Sequence, residues 1–145
     1  MAAVTRYPLT QTPLTGTWNN QINIEADDGA VCSITRGTTK NSQDNMELTA
    51  FDFDSQIPSN ATIDQVDVEV EHNVNTTSNV CFLENLLTVS GTAGAVNSDN
   101  TEPIVLTARI YAAYAKPGGG SWTRTDLLDA NFKATVRARN GNNAT

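Results

Sequence analysis

The segment FDFDSQIPSNATIDQVDVEVEHNV, residues 51–74, constrains the fold more than any other part of the chain. It reads as a strand, a corner anchored by Ile57-Pro58, and a second strand of strict alternation. Val66, Val68, Val70 and Val74 share one face, while Asp67, Glu69, Glu71 and Asn73 share the other. β-Branched residues alternating with acids at a period of two specify a sheet with one dry face and one wet face.

The same reading extends along the rest of the chain. Trp18, Ile22 and Ile24 begin the body in a short alternating segment, and Asp28-Gly29 turns the chain. Ala30, Cys32 and Ile34 alternate next, and a polar loop from Arg36 follows. Met46, Leu48 and Ala50 form an inward face, but Phe51 and Phe53 take the opposite parity, which predicts a bulge or a strand moving between sheets. Val80 to Val89 is an apolar run interrupted by Glu84 and Asn85, and Ser90 to Thr101 has the composition of a flexible loop. Ile104 to Tyr114 is the longest apolar stretch, with Arg109 suggesting a partly open face. After the break at Pro117 to Gly120, Thr123 and Asp126 have capping-box spacing and predict one or two helical turns. Phe132, Ala134, Val136 and Ala138 then alternate with Lys133, Thr135, Arg137 and Arg139 in a last strand with a basic outer face.

Short strands between polar turns predict an all-β fold, an antiparallel β-sandwich of jelly-roll-like form with one short helical turn. A chain of 145 residues suffices for one domain with a two-layer core. Pro8 and Pro13 make residues 1–16 an extended N-terminal arm, residues 17–140 the β-sandwich domain and 141–145 a flexible tail.

The net charge of −7 argues against nucleic acid or an anionic membrane as a partner. Acids dominate from Glu25 to Glu71 and bases from Arg109 onward, which suits either head-to-tail docking or interleaving within one fold. Cys32 and Cys81 read as buried thiols acting as small apolar groups, with a disulfide left open. No apolar run has the length of a signal peptide or a membrane span, so the chain reads as soluble and made in a cytoplasm. Glycosylation-type triplets at Asn60, Asn75 and Asn143 read as coincidence in a chain rich in Asn and Thr.

No nucleotide, hydrolase or metalloprotease motif is present, and neither an enzyme nor a cofactor is expected. The single histidine, His72, shares the parity of the valines and reads as a half-buried core imidazole, not a base or zinc ligand. Asp52 with Asp54, or Glu69 with Glu71, would lie about 7 Å apart on a strand, near the spacing of an inverting glycosidase. Acids on an outer strand face more simply guard it against aggregation. Asp27-Asp28 and Ser98-Asp99-Asn100 lack the ordered spacing of a calcium loop. Trp18, Trp122, Tyr111 and Tyr114 suit core plugs better than a sugar-stacking platform.

Several features together resemble a family of β-sandwich structural proteins of tailed bacteriophages, most closely the capsid decoration, or cement, proteins. They are Trp18-Asn19-Asn20, Phe51-x-Phe53 leading into Ile57-Pro58-Ser59-Asn60-Ala61-Thr62-Ile63, and the valine strand. Gly118-Gly119-Gly120-Ser121-Trp122-Thr123, and Asp129-Ala130-Asn131-Phe132 ahead of a strand, complete the set. The resemblance implies a virion protein on the capsid exterior that reinforces contacts between copies of the major capsid protein, as a homotrimer. Tyr7, Leu9 and Leu14 of the arm, with Arg137 and Arg139, are the candidate partner contacts. Lys133 stands where such proteins often carry glycine, and a further strand commonly follows Arg139 in them. That difference predicts an open edge at residues 132–139, completed by a neighbouring copy or by the capsid. The alternative role is a tail or fibre component, or a carbohydrate-binding module.

Overall fold

The computed structural model describes residues 3–35, 39–75 and 81–141. Arg36, Val80, most of the turn after Asn75, and the tail beyond Gly141 lie outside the described residues.

The last strand organises the molecule. Phe132–Asn140 (β10) lies between Gln43–Thr49 (β4) and Cys81–Val89 (β6) and pairs antiparallel with both. Thr10–Pro13 (β1) adds to the far side of β4, and Thr92–Ala93 (β7) and Asn97–Asp99 (β8) pair with β6, completing a six-stranded sheet. Two two-stranded ribbons accompany it: Trp18–Asn19 (β2) with Ser33–Ile34 (β3), and Val68–His72 (β5) with Thr107–Tyr111 (β9). Among the described residues every pairing is antiparallel, and the one α-helix (α1) is the four-residue turn Phe53–Gln56. The protein is all-β.

Register decides which residues meet. Val136 lies opposite Met46 and Asn85, and Ala134 opposite Leu48 and Leu87. Because side chains alternate across a strand, Met46, Leu48, Leu87, Val89, Phe132 and Val136 share one dry face. Trp18 and Ile34 of one ribbon, and Val68, Val70 and Tyr111 of the other, pack against that core. The expected inward face of the valine strand is therefore present. Phe51, Phe53 and Trp122 gather round Phe132 with ring centroids 5.3, 5.7 and 6.4 Å away, in edge-on geometry.

The edge expected to be open is closed. β10 is the most interior strand of the sheet, with nine residues in register on β6 and six on β4. Its strict alternation and length let it bond on both sides, so nothing there awaits completion in trans.

The parity switch at Phe51 is not a bulge between strands. Ala50 and Asp52 adopt left-handed backbone, at φ 56° and 55°, and α1 follows at once. Two bonds hold this corner: Asp52 N–H donates to the Asp129 carboxylate at 3.1 Å, and Asp129 N–H donates to that of Asp54 at 3.2 Å. The turn brings both phenyl rings to one cluster, stacked at 5.9 Å. Nor is 90–101 a plain loop, since it contains β7 and β8. Ser90 and Gly91 both have positive φ, the geometry of a two-residue hairpin that matches strand twist. The alternating segment after Trp18 is strand only to Asn19, and Gln21–Glu25 form a 3-10 turn. The expected turn after Thr123 is a 3-10 turn, Arg124–Leu127, with a complete capping box.

Candidate functional site

The ribbons do not seal the dry face. A cavity of about 1620 Å³ lies between them and the large sheet, with Met46, Leu48, Leu83 and Leu87 on one wall and Val68 and Val70 on the other. It exceeds the usual range for a small-ligand pocket, about 300–1,000 Å³. Residues 3–8 of the arm run along it, as do residues 29–35 and 61–75.

A polar cluster interrupts this apolar lining. Asn85 is 4% exposed, and neither its amide oxygen nor its amide nitrogen has a hydrogen-bond partner. The Tyr111 hydroxyl lies close enough to Asn85 to be influenced by it, yet no well-formed hydrogen bond joins them. His72 Nδ1 is also unsatisfied. Burial lowers the pKa of His72, and nearby Arg109 lowers it further, against the opposing pull of Asp99. Burial alone would raise the Asp99 carboxyl, but hydrogen bonds from Thr101 and the charges of His72 and Arg109 together hold it below its ordinary value. Burial raises the phenol of Tyr111. Of these residues Asn85 and His72 line the cavity, and they can orient a polar group entering it. Sequence reasoning noted Asn85 only as a break in an apolar run, although a polar residue on the inward parity of a buried strand was the available signal.

Of the predicted contacts Tyr7 borders the cavity, and Leu9, Leu14, Arg137 and Arg139 lie outside it. On the arm, Leu9 N–H donates to the Ala50 carbonyl at 3.0 Å and Leu14 N–H to that of Asn45 at 2.8 Å, with β1 laddered on β4 between them. The backbone is thus satisfied while the side chains of Tyr7, Leu9 and Leu14 project, exposed at 40, 57 and 55%. Arg137 and Arg139 are instead engaged within the sheet. Both pair with the buried Glu84, at 3.3 and 2.6 Å, and Arg139 lies 3.9 Å above the Phe82 ring. Lys133 pairs with Glu47 at 3.1 Å, so the basic C-terminal strand meets acids of its own sheet.

The remaining candidates disperse. Trp18, Tyr114 and Trp122 are buried, and Trp122 Nε1–H donates to the Tyr114 carbonyl at 2.7 Å, which leaves no aromatic platform among them. Asp52 binds Arg6 at 2.9 Å, Asp54 caps the Asp129 amide, and Glu69 and Glu71 are exposed on β5. Cys32 and Cys81 are half-buried and not bridged to each other. Burial raises the thiol of Cys32. Among the described residues no group of three or more His, Cys, Asp or Glu is placed to hold a metal ion, and no helix is long and apolar enough to cross a membrane.

These features define an all-β protein of antiparallel sheets with an internal cavity and a displayed apolar arm. No protein-family model, curated protein or solved structure matches the chain.

Proposed function

We propose that this chain is a structural virion protein of a tailed bacteriophage, a jelly-roll-like β-sandwich that decorates the capsid exterior and reinforces contacts between capsid subunits. The observation that carries the reading is the arm: its backbone is bonded along β4 while Tyr7, Leu9 and Leu14 face solvent. A segment held by its backbone with apolar side chains free is preorganised for docking, so little ordering entropy opposes association. Burying each of those side chains contributes about 1–2 kcal/mol. A homotrimer would present three arms, and their linked binding would greatly exceed that of one arm. The major capsid protein is the proposed partner. The proposed role is non-catalytic, a reading supported by the engagement of Asp52 by Arg6 and of Asp54 by the Asp129 amide.

Binding of the purified chain to expanded, DNA-free phage heads tests this, with native mass measured alongside. We expect a trimer that binds heads, and loss of binding in the triple variant Tyr7→Ser, Leu9→Ser, Leu14→Ser with unfolding unchanged. A monomer that ignores such heads overturns the proposal.

A further inference from the structure

We propose that the cavity seats an extended polypeptide segment from a different protein, which pairs through its backbone with the free edge of β5, apolar side chains inward and basic ones outward. The surface includes residues 3–8 of the arm but neither Leu9 nor Leu14, and the inference stands whether or not that protein is a capsid subunit.

Strand edges carry the first part of the argument. Among the described residues β5 pairs only with β9, and β3 only with β2. Every residue from 61 to 75 borders the cavity, the inward Val68 and Val70 and the outward Glu69 and Glu71 alike. A strand that meets a cavity with residues of both parities meets it along its backbone edge. Residues 29–35 border it in the same way, so the opening lies between two chain edges. Unpaired edges are templates for another strand. A segment opposite the five residues of β5 spans about 17 Å and sends every second side chain into the apolar volume.

Charge selects the composition of that segment. Among the described residues, Asp27, Asp64, Asp67, Glu69, Glu71 and Glu102 border the cavity, while Arg6, the one lysine or arginine that does so, is held by Asp52. Outward residues of the incoming strand therefore meet a negative rim, which favours lysine or arginine and repels an anionic amphiphile. The chain's own apolar–basic alternation occupies 132–139, which is already paired on both edges, so a second copy does not supply this strand.

Calorimetry on the full chain tests the proposal with an end-capped octapeptide of alternating valine and lysine. Three comparison ligands are the same peptide N-methylated at alternate residues, a valine–glutamate peptide, and dodecylamine as a cationic amphiphile without a backbone. The valine–lysine peptide is expected to bind and to slow hydrogen exchange of the amides in 68–72. N-Methylation should weaken binding at least about tenfold, a loss of about 1.4 kcal/mol, and the glutamate peptide should not bind. The surface variant Glu69→Lys, Glu71→Lys should weaken binding several-fold without touching the core. Equal binding of the N-methylated peptide, binding of dodecylamine with no peptide bound, or failure of every ligand at millimolar concentration overturns the inference. Self-association that already protects the 68–72 amides also overturns it, since a second copy would then cover the edge.

Discussion

Removal of Glu84 separates two roles for the arginines of β10, as parts of the fold or as surface for a partner. The Glu84 side chain is 6% exposed and lies between arginine side chains that are each 21% exposed. Arg139 Nε donates to it at 2.6 Å and Arg137 Nη1 at 3.3 Å, and Arg137 Nε donates to Asn45 Oδ1 at 2.8 Å. Exposed ion pairs contribute about 0.2–1 kcal/mol, whereas removing one partner of a fully buried pair costs about 3–5 kcal/mol. With one-fifth of each arginine in water, Glu84→Gln belongs between these limits, at about 2–3 kcal/mol. Arg139→Leu should cost less, about 1–2 kcal/mol, because Glu84 keeps Arg137 as a partner. The double variant should lose less than the sum of the two singles, by about 1 kcal/mol. Urea unfolding followed by the fluorescence of buried Trp18 and Trp122 reads these values. With a slope of about 1.5 kcal/mol per molar urea, the Glu84→Gln midpoint should fall by roughly 1.3–2 M. A stability unchanged to within about 0.5 kcal/mol would refute this reasoning and leave Arg137 and Arg139 available as partner contacts.

Trp122→Phe removes the donor that satisfies the buried Tyr114 carbonyl and should lower stability by about 1–3 kcal/mol in the same assay, a neutral effect counting against that bond. Gly16→Ala should cost about 1–3 kcal/mol, since φ is 76° and a new Cβ would lie 2.5 Å from Asp44 Oδ1 and 2.8 Å from its Cβ. For pH, burial holds His72 below its ordinary 6.5, with Arg109 adding to it and Asp99 opposing it, so at mildly acidic pH the unfolded chain binds a proton that the folded chain refuses. The stability from neutral His72 is therefore complete above pH 6.5 and is lost as pH falls toward the lowered folded value. Thermal scans between neutral pH and about pH 5 should show a falling Tm, and His72→Phe should flatten that slope. An equal slope in the variant would exclude His72 as the cause.

Much of the fold was legible where a local pattern had one physical outcome. The alternation at Val66–Val70 and at Phe132–Ala138 placed those residues on dry faces, and Thr123 with Asp126 marked a capped turn. Phe51 and Phe53 were misread because parity presumes extended backbone, and left-handed Ala50 and Asp52 remove that premise. The candidate site was less legible. Exposure of Tyr7, Leu9 and Leu14 was foreseeable in a proline-bearing arm, but the capture of Arg137 and Arg139 by Glu84 depends on register with a strand some fifty residues away.

Alternation and turn chemistry by themselves determined that this chain makes antiparallel sheet, because each side chain's face follows from its neighbours a few residues away. Which strand sits at the centre, which edges remain unpaired, and whether the two sides of the core meet or leave a cavity were decided only in the tertiary structure. Those outcomes depend on pairings between distant segments and on how much apolar volume each brings. Asn85 illustrates the division: local sequence put it on a strand, but only assembly of the sheets left its amide buried beside a cavity with nothing to bind.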